Sequence, residues 1–326
     1  MTYTLEKHVA IEAVTRAAGL CMAVRADMVD ADSLQKDDKS PVTIADFGAQ
    51  ALVCQHLLAA FPQDTIVGEE DSTDLQKPEH EAKLAQVSEY VRRFQPDATP
   101  QTICGWIDAG NGAVTRRFWT LDPIDGTKGF LRNDQYAVAL ALVEDGEVKV
   151  GALACPVLPL NLDRPDSSVG VVFVAVRGQG AAIAPLHSDV FVPIHVTSET
   201  NKAGMRFAES FEAAHGDQAR QQAVAQATGI TQPSLRMDSQ AKYGIVARGD
   251  AALYLRLPSP KAPDYRENIW DHAAGALIVE EAGGRVTDMY GRPLDFATDR
   301  KMHQNRGVIV SNGRLHAAVI EALAQL

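Results

Sequence analysis

Apolar residues recur at Val9, Ala13, Ala17, Leu20 and Met22, roughly one helical turn apart, and predict an amphipathic helix over residues 5 to 25. A charged loop follows, Gln35-Lys36-Asp37-Asp38-Lys39-Ser40-Pro41. A second helix is predicted from about Phe47 to Ala60, capped by Thr43 or Asp46 and ended by Phe61-Pro62. The short apolar piece Thr65-Ile66-Val67 runs into Gly68-Glu69-Glu70-Asp71. Residues 72 to 118 are long, polar and partly helical, as over Glu81 to Phe94; such a segment is often a lid or an inserted helical hairpin.

Strand-like runs dominate next: Phe118 to Leu121, Tyr136 to Glu144, Val148 to Cys155 and Val169 to Val176. Asp145-Gly146 is a hairpin signal, and Gly178-Gln179-Gly180-Ala181 reads as another tight connection. After about residue 200, helices at 215–228 and 271–282 alternate with short strands such as Gly307 to Val310. The pattern predicts an α+β part over 1–200 and an α/β part over 201–326.

With 326 residues, 46% apolar and 22% charged, the chain has the material for one large or two fused domains. The net charge of −11, with no basic stripe, argues against nucleic acid as a partner. An acidic protein that handles an anionic substrate needs local positive charge, and bound metal ions are one source. Cys21, Cys54, Cys104 and Cys155 are scattered without a C-x-x-C pair, which disfavours a disulfide framework or a zinc site and suits a cytoplasmic protein. Charged residues Glu6, Lys7, Glu12 and Arg16 interrupt the N-terminus too early for a signal peptide. No stretch reads as long and apolar enough to span a bilayer, so no membrane association is expected.

Trp119-Thr120-Leu121-Asp122-Pro123-Ile124-Asp125-Gly126-Thr127 carries the clearest chemistry. A strand delivers Asp122, Pro123 fixes the backbone direction, and a turn then brings Asp125 near the same point. With the Ile124 carbonyl this makes an oxygen set suited to a hard cation such as Mg²⁺. Gly126 allows close backbone approach, and the following amides with the Thr127 hydroxyl are able to cradle a phosphate. The plain alternative is an Asx-type turn. Glu69 and its acidic neighbours stand at a strand end, as metal ligands or as a solvated loop. Asp271, in Trp270-Asp271-His272-Ala273-Ala274-Gly275, stands where a helix begins, as a ligand or an N-cap; His272 reads more as a packed or capping residue. Asp46, in Pro41-Val42-Thr43-Ile44-Ala45-Asp46, either caps a helix or orients a catalytic hydroxyl.

The ordered set G-E-E, D-P-I-D-G-T and W-D-x-A-x-G resembles the lithium-sensitive, Mg²⁺-dependent inositol monophosphatase superfamily, from about Pro41 to the C-terminus. Within it the chain is most similar to the 3′(2′),5′-bisphosphate nucleotidases of sulfur metabolism. The runs at 122–132, Asp238-Ser239-Gln240-Ala241-Lys242-Tyr243, Tyr254-Leu255-Arg256-Leu257-Pro258 and Ile269 to Gly275 carry that likeness. The resemblance implies a layered αβαβα sandwich with the site between its two parts. It implies that Glu69, Asp122, Asp125, Asp271 and the Ile124 carbonyl bind two or three Mg²⁺ ions. Asp46 and Thr127 would position or activate the attacking water, and the amides of Gly126 and Thr127 would hold the phosphate. Ser239, Lys242 and Arg256 would contact the nucleotide and its non-reacting phosphate, with His215 at the base.

The expected reaction is direct in-line hydrolysis of a nucleoside 3′,5′-bisphosphate, with metal ions serving the attacking and leaving oxygens. An inositol phosphate or sugar bisphosphate phosphatase of the same superfamily is the nearest alternative. A non-catalytic nucleotide or metal sensor belongs to another class, and its mark would be a lost ligand; all the expected ligands are present.

Overall fold

The computed structural model describes residues 2–30, 40–164, 169–211 and 216–325. His215 and the charged loop from Gln35 to Lys39 lie outside the described residues. Two long helices open the chain, α1 (Thr4–Asp30) and α2 (Ser40–Ala60). The second begins earlier than predicted, so Thr43 and Asp46 lie inside it and neither is its N-cap. Val42, Ile44 and Ala45 are buried with Phe47 and extend its apolar face past the polar signals. Within it, Val42–Ala60 has the length and composition to cross a membrane, contrary to expectation, but most of that stretch is buried in the protein core.

Strand β1 (Thr65–Gly68) leads to helices α3 (Glu81–Arg92) and α4 (Pro100–Asp108). The α4 helix, not read from the sequence, starts at a capping box in which Thr99 and Thr102 satisfy each other's backbone amides. The 72–118 segment is thus a helical pair and not a lid. Val87, Val91, Ile103 and Ile107 are buried in the same apolar cluster as Leu52 and Trp119.

Strands β2 (Arg117–Asp125), β3 (Ala137–Glu144), β4 (Glu147–Pro159), β5 (Val169–Val176), β6 (Ala181–Pro185) and β7 (Val192–Ile194) join β1 in a seven-stranded sheet in sequence order. A short helix, α5 (Thr127–Arg132), leaves the end of β2. Pairing is antiparallel except between β1 and β2. The predicted β3–β4 turn is present, with Asp145 and Gly146 both at positive φ, 53° and 76°.

A second, five-stranded sheet has the order β11-β12-β10-β8-β9. Its strands are β8 (Phe207–Glu209), β9 (Leu235–Arg236), β10 (Leu253–Arg256), β11 (Arg285–Thr287) and β12 (Val308–Ser311). The helices of this part are α6 (Gln218–Ala227), α7 (Ala241–Ala247), α8 (Ala273–Glu281) and α9 (His316–Gln325).

The layers follow from which faces are apolar. Helices α1 and α2 cover one face of the first sheet, α7 and α8 lie between the sheets, and α6 and α9 cover the second sheet. This is the expected αβαβα sandwich. Strand β3 is buried on both faces and therefore reads as a continuous apolar run. Val138, Leu140 and Leu142 point into the cluster beneath α1 and α2, whereas Ala137, Ala139 and Ala141 point into the cluster shared with α8. The small residues let α8 approach closely. At Gly151 a Cβ would stand 2.9 Å from the Ala274 carbonyl oxygen, so no larger residue fits. A third cluster, with Phe207, Leu253, Val224 and Val319, seals the second sheet against α6 and α9.

Candidate functional site

Parallel pairing of β1 with β2 sets Gly68 opposite Leu121, so Glu69 leaves β1 beside Asp122. Asp122 and Asp125 are three residues apart, and in a regular strand they would point to opposite faces. The β2–β3 register shifts between them: Asp122 pairs with Ala139 and Asp125 with Ala137. One extra residue sits in β2, a bulge over Pro123 and Ile124, where Pro123 has no amide to donate. The bulge turns both carboxylates to one side. A bulge inside a strand, where a turn was expected, thus builds the acidic pair.

Asp271 joins them from the second part of the chain. Carboxylate oxygens of Asp122, Asp125 and Asp271 all lie within 4.8 Å of one another. Helix α8 starts at Ala273 with His272 at its N-cap position, so Asp271 is not the cap. Its Oδ2 accepts instead from the Asn268 backbone amide at 3.3 Å. His272 is packed, as its sequence context suggested, but its ring makes no capping bond.

These acids line a cavity of about 160 Å³ together with Glu69, Ile124, Gly126 and Thr127. Ser239, Lys242 and Arg256 complete it from the second part. Ten of the twelve predicted site residues therefore meet in one place. Asp46 does not line it; it is buried in α2, and its charge acts on Asp122. Gly126 has φ +90°, and a Cβ there would stand 3.0 Å from that of Ser239, so the two strand–helix corners press together.

Crowding of like charge dominates the electrostatics. Burial, then Asp271 and Glu70, pushes Glu69 up to about 8, although its side chain opens to the cavity. Burial, then Asp271, pushes Asp125 up to about 6 against the pull of Lys242 and Arg256. Asp122 is raised well above the carboxylate range by burial and by Glu69, and its Oδ1 is buried without a hydrogen-bond partner. Asp46 is likewise raised by burial, then by Glu70 and Glu69. Such a cluster is a candidate site for a cation, whose charge would offset the repulsion.

The opposite wall is positively charged and already braced. Lys242 is buried, donates to the Met237 carbonyl at 3.3 Å and lies 5.1 Å over the Tyr254 ring; burial lowers it to about 8. Arg256 pairs through Nε with Glu267 at 2.7 Å. Burial alone would raise Glu267, but the Arg256 charge and a hydrogen bond to His272 outweigh it and bring it to about 2. Ser239 is held at φ +65°, in the left-handed region, and its Oγ accepts from the Ala241 amide at 3.2 Å.

Sequence reasoning missed several residues that shape the site. The Gln240 amide donates to Asp125 Oδ2 at 2.6 Å, and its side chain bridges the Trp270 carbonyl (2.9 Å) and the Gly275 amide (3.2 Å). Its place between Ser239 and Lys242 was the available signal. Gln50, buried in α2, accepts from the Glu70 amide at 3.0 Å, donates to the Glu70 carbonyl, and donates to the Ile107 carbonyl at 2.9 Å. It fixes the turn that carries Glu69, with no local sign of that role. Arg300 donates to the Gly68 carbonyl and lies 5.3 Å over the Trp270 ring, joining the two segments that carry Glu69 and Asp271.

Fold and site together define a layered αβαβα protein with clustered carboxylates in an inter-layer cavity. A profile of the inositol monophosphatase family matches residues 4–326, and the chain belongs to that family. It is 45% identical to a 3′(2′),5′-bisphosphate nucleotidase of Schizosaccharomyces pombe, over 99% of this chain and 96% of the relative. It is 43% identical to one of Emericella nidulans, over 100% and 99%. An inositol monophosphatase structure from Anabaena superposes with a TM-score of 0.63 over 100% of this chain and 98% of its own, at 20% identity, which speaks for the fold alone.

Proposed function

We propose that this protein is a Mg²⁺-dependent 3′(2′),5′-bisphosphate nucleotidase, which hydrolyses adenosine 3′,5′-bisphosphate to adenosine monophosphate and phosphate. The carrying observation is a cavity of two signs, with Asp122, Asp125 and Asp271 converging on one side and Lys242 and Arg256 on the other. A substrate with two phosphates suits it, one beside the acids through a cation and one on the cationic wall. The names of the S. pombe and E. nidulans relatives support the same substrate class. The four cysteines are free and buried, in keeping with a cytoplasmic enzyme that uses no thiol nucleophile.

The acidic wall fits a hard divalent cation: its donors are all oxygen, and Asp122 Oδ1 is buried without another partner. Glu69, Asp122, Asp125, Asp271 and the Ile124 carbonyl would hold two or three Mg²⁺ ions. When bound, Mg²⁺ lowers the pKa of water and offsets charge on phosphoryl oxygens. The amides of Gly126 and Thr127 receive the phosphoryl oxygens as negative charge develops. The Thr127 hydroxyl orients the attacking water, while Asp46, buried outside the cavity lining, acts through its charge on Asp122. Ser239, Lys242, Arg256 and His215 hold the nucleotide and the phosphate that stays.

The test is phosphate release from adenosine 3′,5′-bisphosphate, inositol 1-phosphate and fructose 1,6-bisphosphate, with and without Mg²⁺. The reading expects strong Mg²⁺-dependent preference for the nucleotide. Main activity on an inositol or sugar phosphate would keep the acidic wall and discard the roles of Ser239, Lys242 and Arg256. No activity on any of them would favour a sensor.

A further inference from the structure

Arg256 stands at the junction of two cavities. One is the acidic cavity; the other, of about 280 Å³, is lined by Gly216, Leu257, Pro258, Tyr265 and Glu267 as well as Arg256. Among the described residues, Glu267 is the only ion-pair partner of Arg256. The same Glu267 oxygen lies 3.3 Å from His272 Nε2, and His272 Nδ1 lies 2.6 Å from the Tyr243 hydroxyl. Tyr243 returns to the acidic cavity. A buried run of polar groups, Arg256–Glu267–His272–Tyr243, thus starts and ends in the wall of one cavity. Each member is satisfied when Tyr243 donates to Nδ1 and Nε2–H donates to Glu267.

A carboxylate beside a polyanion site works against binding through its charge. Removing it would raise the local positive potential, so its presence needs another benefit. Arginine binds phosphate through a planar fork, and the fork must face its ligand. A long side chain projecting between two cavities has several rotamers available, and only some present that fork. Holding Nε on one fixed carboxylate limits the choice, the Tyr254 and Tyr265 hydroxyls also bond the guanidinium, and Arg256 still lines the acidic cavity. His272 and Tyr243 in turn limit the freedom of Glu267, which is itself buried.

We infer that Glu267 is a positioning residue for phosphate selectivity: it aims the Arg256 guanidinium at the substrate's non-reacting phosphate, with His272 and Tyr243 as its backing. The inference rests on the proposed role of Arg256 in contacting that phosphate.

Steady-state kinetics of the full chain on adenosine 3′,5′-bisphosphate and on adenosine 3′-monophosphate test it. Glu267→Ala is expected to raise KM for the bisphosphate by about 10- to 50-fold, with kcat within about threefold and little change on the monophosphate. Glu267→Gln keeps an acceptor for Nε and is expected to recover most of the loss. Tyr243→Phe removes only the far support and is expected to raise the bisphosphate KM by about two- to threefold. If the role were only electrostatic, both Glu267 variants would bind the bisphosphate more tightly, and the inference would be wrong. Equal losses on both substrates would make Glu267 structural and would likewise overturn the inference. Should Glu267→Ala fail to fold, Glu267→Asp, which keeps the charge but withdraws it by one methylene, carries the same expectation and the same refutation. If the wild-type enzyme itself does not prefer the bisphosphate, the role of Arg256 falls first; if it does and Glu267→Ala keeps that preference, only the inference falls.

Discussion

The two walls of the cavity are held by opposite means. On the wall built from β1 and β2, carboxylates are forced together by backbone register, and Asp122 Oδ1 has no partner. On the wall built from α7 and β10, Lys242 and Arg256 are each braced by buried neighbours, the Met237 carbonyl and the Glu267 carboxylate. The acidic wall is set by main-chain geometry and is a candidate metal site. The cationic wall is set by side-chain bonds and has its orientation before any ligand arrives. Gln240 ties the two together, since its amide holds Asp125 while its side chain holds the Trp270–Gly275 turn.

The sharpest way to break this contrast is Asp122→Asn. Turnover is expected to fall by about 10³-fold or more, as a metal ligand is lost at the reaction centre. The metal-free melting temperature should hold or rise, because a repelled buried carboxylate is neutralised. Calorimetric Mg²⁺ titration and thermal melts check both; normal turnover, or a large fall in stability, would remove the idea that this wall is strained toward a cation.

Arg300→Ala removes the strap from the Gly68 carbonyl to the Trp270 ring, and so loosens Glu69 relative to Asp271. The expected cost is about 10- to 100-fold in kcat, with weaker Mg²⁺ binding. Unchanged Mg²⁺ affinity would show that register alone sets the acidic wall. On the other wall, Arg256→Ala should lose about 10- to 100-fold in kcat/KM on the nucleotide bisphosphate and far less on a simple monophosphate. Equal losses on both would mean that this wall supports the fold and does not select the substrate.

The smallest expected effect lies away from both walls. His316 is buried between the hydroxyls of Thr287 (2.8 Å) and Ser311 (2.9 Å), and burial, aided by Arg285, lowers it to about 4. Its unfolded form takes up a proton from about pH 6.5 downward while the folded form does not, so stability falls as pH drops from about 6.5 toward 4. His316→Asn should flatten that part of the acid limb by a few °C, roughly. An unaltered pH dependence of the melting temperature would show that the acid sensitivity arises elsewhere, the two walls included.

Legibility followed the range of the physics. Val169–Val176 was read with its observed bounds, and Asp145-Gly146 was read as the turn it forms, because apolar runs and turn residues act locally. The β-bulge was not read, since it depends on how β2 pairs with β3. Nor was the burial of α2's first turn, which depends on the partners of Val42 and Ile44.

What the sequence determined by itself was the chemistry of the site and the elements that carry it: acids at the ends of β1 and β2, a lysine and an arginine further on, and motifs ordered well enough to show their kinship. Tertiary structure alone decided how those groups are held. Gln50, Gln240 and Glu267 are ordinary polar residues in their own neighbourhoods. The Gln50 and Gln240 side chains bond backbone 20 to 57 positions away, and Glu267 braces a side chain on β10. Burial makes each of those bonds costly to lose, and burial is a property of the folded chain.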